Sequence, residues 1–306
     1  MTVLEAIQKS ADFLAKKGVE SPRLQTELLL AHLLKMPRMK LYLNFERALT
    51  PAETDALREL VKRRGQREPL QHITGMISFC GLEMAVNRHA LVPRPETELL
   101  AEAGWQFLST FNSQPSTALD LGTGTGCIAI ALAVRCPNAR ITATDISADA
   151  LALARENAAR NGVAERIEFL AGDGFAALIE VSGRGRLACE FDDTSARTSW
   201  PRSFDLIISN PPYIPSAEIA TLQPEVRDFD PRAALDGGVD GLDFYRLMAS
   251  HAAAFLKPDG CVMLEFGDGQ AEAIRKIFKN EKWIVEAVKE DYSQRARILI
   301  AKIKSG

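Results

Sequence analysis

The most specific chemical signal in this 306-residue chain is Ser209-Asn210-Pro211-Pro212-Tyr213-Ile214-Pro215, at the end of an apolar run. Two consecutive prolines fix φ and remove N–H donors. The carbonyls of Asn210 and Pro211 are left free, and the Asn210 amide can be held rigidly. The stretch therefore offers acceptors to an –NH2 group, and Tyr213 offers a flat face for a planar amide or base. Upstream, Asp120-Leu121-Gly122-Thr123-Gly124-Thr125-Gly126-Cys127 follows a strand pattern and opens a helix pattern. Glycines there let the backbone approach a ligand closely. A dinucleotide fingerprint needs a third glycine where Cys127 stands, which disfavours a nicotinamide-dependent dehydrogenase. Asp145 ends the next strand, placed to accept both hydroxyls of a ribose. Asp173, in Gly172-Asp173-Gly174-Phe175, ends the third strand and can accept from an adenine amino group. Each has a bland alternative: a tight turn, a helix cap (for which Ser147 is the better residue) or a turn aspartate. On successive strand ends they together mark a nucleoside site.

The elements that must position these residues alternate. Strands are expected at Thr117–Leu121, Arg140–Asp145, Ile167–Ala171, Phe204–Ser209, Gly260–Phe266, Trp283–Val288 and Ala296–Ile303, with helices near 127–136, 147–161, 243–256 and 269–280. Such alternation indicates a mostly parallel sheet covered on both faces. The short link between the last two strands makes them antiparallel. The first 65 or so residues read as helices only. Ser21-Pro22 reads as an N-cap with proline at the first helical position, and Thr50-Pro51-Ala52-Glu53 as a capping box. Ile73-Thr74-Gly75, Phe79–Leu82 and Met84–Val86 read as short strands around a turn, and a helix is expected from about Thr97 to Leu108. The polar stretch 182–203 reads as a surface insertion.

Composition excludes other chemistries. Apolar residues at 46% and charged residues at 25% describe an ordinary globular protein, long enough for two domains. A net charge of −3 removes the electrostatic reason to expect nucleic acid. Five cysteines without C-x-x-C give neither a disulfide framework nor a zinc knuckle. None of the four histidines has metal-pair spacing, and no G-x-S-x-G supplies a serine nucleophile. The charged N-terminus and the lack of long apolar runs lead us to expect a soluble, cytoplasmic protein with no membrane contact.

Taken together, D-L-G-T-G-T-G, Asp145, G-D-G-F and N-P-P-Y-I-P resemble S-adenosylmethionine-dependent methyltransferases acting on a planar nitrogen. The longer stretches Arg67–Gly75, Phe79-x-Gly81-Leu82, Leu91–Glu98, Glu225–Leu242 and Ser21–Ala31 resemble the protein-(glutamine-N5) methyltransferases of peptide chain release factors, the HemK/PrmC family. The resemblance implies a class I, Rossmann-like α/β fold with a seven-stranded, mostly parallel sheet whose last strand is antiparallel. It also implies a helical substrate-binding domain at 1–75, a β-hairpin linker at 76–96 and a methyltransferase domain at 97–306. S-adenosyl-L-methionine would be bound by Gly122, Thr123, Gly124, Thr125, Gly126, Asp145, Asp173, Gly174 and Asn210, with Asn210, Pro211, Pro212 and Tyr213 serving the transfer. The partners implied are class I release factors, methylated on the glutamine of a Gly-Gly-Gln loop, with no direct contact to nucleic acid. Gly174, the length of the 182–203 stretch and Gln294 depart from the family pattern. Arg94, Glu96, Glu98 and Glu265 stay open between ligand contact and structural pairing.

Two rival readings have different consequences. The same Asn-Pro-Pro-Tyr stretch serves methylation of exocyclic amines of adenine or guanine in nucleic acid, but such enzymes usually need a basic face or a recognition domain, and here the added domain is helical and the net charge negative. A catalytically idle methyltransferase fold acting as a scaffold is opposed by the intact Asn210–Tyr213 stretch.

Overall fold

The computed structural model describes residues 1–111, 115–180 and 203–304. The expected insertion therefore lies, apart from Ser203, outside the described residues. Two compact units form: Met1–Met76 with Leu222–Phe229, and Ile77–Thr221 with Asp230–Gly306.

The first unit is helical, with α1 (Val3–Lys16), α2 (Pro22–Leu33), α3 (Arg38–Tyr42), α4 (Pro51–Gly65) and α5 (Leu70–Thr74), plus the single turn Pro224–Arg227. Capping boxes start α1 and α4, Thr2 with Glu5 and Thr50 with Glu53. The apolar faces of these helices meet in a core that includes Ile7, Leu14, Leu29, Leu30, Leu41 and Leu57. Ser21 precedes α2 but does not cap it with its side chain. Its backbone is left-handed (φ 48°), away from the extended conformation a capping side chain needs. Ile73 and Thr74 are helical, not extended. Pro69 leads into α5, and Gly75 ends it at φ 75°. Two carboxylates, buried Glu27 and half-buried Glu225, are paired in this unit. Glu27 is held by Arg23, Arg38 and Tyr42. Glu225 takes two bonds from Arg67 and one from Arg64. Burial alone would raise the Glu225 carboxyl, but those guanidiniums bring it below its ordinary value.

The second unit begins with the hairpin β1 (Met76–Phe79) and β2 (Leu82–Ala85). Cys80 and Gly81 turn it with φ of 51° and 78°, the two positive values of a tight hairpin turn. There follow α6 (Pro95–Ser109), β3 (Thr117–Leu121), α7 (Cys127–Arg135), β4 (Arg140–Asp145), α8 (Ala148–Arg160), β5 (Ile167–Ala171), α9 (Ala176–Glu180) and β6 (Phe204–Ser209). Helix Asp243–His251 then leads to β7 (Leu256–Glu265), and helix Ala271–Asn280 to β8 (Trp283–Glu290) and β9 (Ala296–Ile303). α6 starts two residues earlier than expected because Pro95 fits the first helical turn. β7 also starts early, since Leu256 pairs with Phe204 ahead of a register shift.

The sheet order is β5-β4-β3-β6-β7-β9-β8. β9 is antiparallel to both neighbours, and the other pairs are parallel. Alternate side chains of β3 enter opposite cores. Ala118 packs with α6 and α7 residues such as Leu100, Ile130 and Leu132. Leu119 and Leu121 pack with Tyr245, Met248, Ile274 and Phe278. Full burial on both faces is what a central parallel strand requires. The chain departs from β3 to β4 on one side and crosses to β6 on the other. That reversal opens a crevice at the strands' C-terminal ends, where α/β sheets bind ligands.

Candidate functional site

The glycine loop is built by its own backbone. The N–H groups of Gly122 and Thr123 both reach the Thr144 carbonyl, at 2.9 and 2.8 Å, tying the end of β3 to the end of β4. Gly126 is the N-cap of α7 with φ 81°. A Cβ there would lie 3.0 Å from that of Ala154 on α8, so only glycine fits both the backbone and the packing. Asn157 of α8 is fully buried and clamps the loop from behind. It accepts from the Ala85 N–H at 2.7 Å and donates to the carbonyls of Ala85 and Thr125 at 3.0 Å. Beneath the loop, Asp120 accepts from the Thr123 hydroxyl at 2.6 Å and the Ala129 N–H at 3.1 Å. Its complete burial pushes the carboxyl up to about 7 against those two donors.

Asp145 stands at the end of β4. One oxygen accepts from Gly124 N–H at 2.9 Å and the other from Ser147 N–H at 2.8 Å. Each carboxylate oxygen has a further lone pair, so the side chain can still accept from two neighbouring hydroxyls. Ser147 is the side-chain cap of α8, accepting from Ala150 N–H at 3.2 Å. Asp173 is exposed beyond β5. Gly174 after it has φ 52°, a conformation that disfavours a side chain at that position.

After β6 the Asn-Pro-Pro-Tyr stretch turns over the sheet. Ser209 anchors it by donating to Leu121 carbonyl at 2.5 Å. Asn210 donates from Nδ2 to the Thr97 hydroxyl at 3.0 Å. Its Oδ1 is buried and has no hydrogen-bond partner among the described residues. An orphaned buried acceptor is costly, so this atom is poised for an N–H that a ligand brings. Tyr213 packs against the second core, and Gln270 holds its carbonyl with a 2.9 Å bond from Nε2. Burial raises the Tyr213 phenol above its ordinary range, which leaves a neutral aromatic wall.

One cavity of about 270 Å³ joins most of these groups: Gly122, Thr123, Gly124, Thr125, Asp145, Asp173, Gly174, Asn210 and Pro212 all line it. Gly126, Pro211 and Tyr213 do not. Gly126 serves the α7 start, Pro211 is buried beneath the turn and Tyr213 stands in the packing behind it. Sequence reasoning missed Thr97, His89 and the pair Pro231 and Ala234, which also line the cavity. Arg94 does not line it. It pairs with the buried Asp230 at 2.8 Å, fixing the Leu91–Glu98 segment to the start of the Pro231–Ala234 turn. Glu98 accepts from Cys80 N–H at 2.7 Å, a structural role. Among the described residues no three His, Cys, Asp or Glu side chains gather in a way that could hold a metal ion. No helix there is long and apolar enough to cross a membrane.

Fold and site together define a class I methyltransferase. Residues 5–75 match the family model of the PrmC N-terminal domain, and residues 100–182 match that of the methyltransferase small domain. The release factor glutamine methyltransferase of Geobacter sulfurreducens is 44% identical over 279 residues, 90% of this chain and 88% of that protein. The enzyme of the same name from Chlorobaculum tepidum is 41% identical over 96% of this chain and 94% of its own. The chain belongs to the release factor glutamine methyltransferase family. Among solved structures, the hMettl16 catalytic domain in complex with MAT2A 3'UTR hairpin 6 shares the fold. It is 14% identical, covers 74% of this chain and 77% of that one, and has a TM-score of 0.51.

Proposed function

We propose that this protein transfers a methyl group from S-adenosyl-L-methionine to the side-chain amide nitrogen of a glutamine, in the Gly-Gly-Gln loop of class I peptide chain release factors in the cytoplasm. Gly122–Gly126, Asp145, Asp173 and Gly174 would hold the cofactor. The donor supplies a methyl group on a sulfonium, already an excellent leaving group. The difficulty lies with the acceptor, because an amide lone pair is delocalised into its carbonyl. Asn210 Oδ1 can accept an amide N–H bond, aim the nitrogen and raise its electron density. Orientation of this kind can supply up to about 7–11 kcal/mol in favourable cases. No histidine is needed as a base, since an N-methylated, protonated amide loses its proton readily. Residues 1–75, with no chemistry of their own, would engage the release factor, and 76–96 would link them to the methyltransferase domain at 97–306.

The observation that carries this reading is the buried Asn210 Oδ1, partnerless among the described residues, on the wall of a cavity that the glycine loop and Asp145 also line. Asn210→Ala should lower methylation of a release factor by about a hundredfold or more while leaving the fold, read by circular dichroism, intact. Full activity in that variant, or transfer to nucleic acid instead of the release factor, would overturn the assignment.

A further inference from the structure

Arginine is a poor residue for the start of a helix. At the N-cap it offers no acceptor to the orphan N–H groups, and its charge is opposed by the positive end of the helix dipole. Yet Arg94 stands at the N-cap of α6, in extended backbone and with no side-chain capping bond. Its guanidinium turns instead to Asp230, 136 positions away, and donates to it at 2.8 Å. The Asp230 side chain is 1% exposed and that of Arg94 37%. A pair this unequally buried returns little net stability, since desolvating the carboxylate offsets most of the attraction. Neither helix formation nor stability accounts for Arg94.

The pair does account for the placement of the first turn of α6. The Arg94 carbonyl accepts from the Thr97 N–H at 3.1 Å. The hydroxyl of Thr97, a buried residue, accepts from Asn210 Nδ2 at 3.0 Å. Three hydrogen bonds and one helical turn thus lead from Asp230 to the amide whose buried Oδ1 has no partner among the described residues. The same pair joins two stretches of cavity wall. Pro93 directly precedes Arg94, Pro231 directly follows Asp230, and both line the cavity with Thr97 and Asn210. Prolines at 93 and 95 fix their own φ and hold Arg94 extended between them, so little slack separates the ion pair from the wall. Arg94 and Asp230 themselves stay outside the lining. We propose that Arg94 and Asp230 are positioning residues for methyl transfer: their ion pair sets the first turn of α6, so that Thr97 holds the Asn210 amide with its oxygen toward the substrate. The proposal rests on the role given to Asn210 above.

Arg94→Met alone would leave a buried carboxylate unpaired and risk unfolding. The test therefore uses Arg94→Met/Asp230→Asn in the full chain, which removes both charges at once. Its urea midpoint should stay close to that of wild type, because the pair adds little stability. Its kcat on a release factor should fall by about tenfold or more, since a misplacement of about 1 Å at a reacting group can cost about a hundredfold. KM for the release factor should be unchanged. Arg94→Lys keeps a cation opposite Asp230 and should retain clearly more kcat than the neutral variant. The decisive arm is the Asn210→Ala background. A pair that acts through Asn210 has nothing left to position there, so the same two changes should lower kcat no further. Wild-type kcat in the neutral variant, a kcat loss that repeats in full on top of Asn210→Ala, a raised KM in place of a lowered kcat, or lysine no better than the neutral variant would each overturn the proposal. A neutral variant that does not fold would make the pair a prop of the fold and overturn it as well. Full activity in Asn210→Ala would instead remove the reading beneath it, whereas an impaired Asn210→Ala beside wild-type kcat in the neutral variant removes the positioning role alone.

Discussion

Asp145 shows how one carboxylate can serve both the loop and a ligand. Its two oxygens already accept one backbone N–H each, from Gly124 and Ser147, which fixes the plane of the carboxylate before any ligand arrives. A diol meeting that plane gains charge-assisted hydrogen bonds without reorganising the side chain. Each such bond contributes about 1.5–3 kcal/mol. Asp145→Ala should therefore weaken S-adenosylmethionine binding by well over tenfold, measured by calorimetry, and an affinity within twofold of wild type would refute the ribose assignment. Asp145 was legible in the sequence because it ends a short apolar run. Thr97 was not. It stands 113 positions from Asn210, in a proline-punctuated segment, and only the crossing of α6 over the ends of β6 and β7 brings its hydroxyl to the amide.

Elements were legible where burial on both faces forces a simple pattern. β3, β4 and β6 run over the spans expected from their apolar runs, because a parallel strand between two helical layers has little freedom in composition. The segment around Ile73 was misread because β-branched residues suggest strands, while Pro69 and Gly75 set a helical turn. The α7 start gives an element-scale prediction. Gly126 has a left-handed backbone, and a Cβ on it would press on Ala154 of α8 at 3.0 Å. Gly126→Ala combines backbone strain with a forced shift between two helices that pack tightly. It should cost about 1–3 kcal/mol of stability in urea unfolding and loosen the glycine loop. A variant as stable as wild type would show that the loop can adopt a right-handed turn at this position.

At the scale of the whole molecule, the proposed function assigns chemistry to one compact unit and substrate capture to the other. The cavity residues all belong to the second unit. The first unit shows solvent two large apolar side chains close in sequence, Met39 at 66% and Leu43 at 85% exposure. Exposed apolar residues together with an absence of chemistry fit a docking role, which would raise the local concentration of a large substrate at a site that a small one reaches unaided. Removing residues 1–76 tests this, but simple truncation also strands Glu225, whose partners Arg64 and Arg67 lie in the removed segment. An unpaired carboxylate would confuse loss of docking with local damage, so the shortened chain should carry Glu225→Gln. That protein should bind S-adenosylmethionine as the full chain does. It should methylate a short peptide bearing Gly-Gly-Gln at a comparable rate, and lose about a hundredfold or more on the intact release factor, the scale set by losing one of two linked contacts. An equal loss on peptide and intact factor would place the defect in the catalytic unit. Full activity on the intact factor would mean that the helical unit contributes nothing to substrate capture.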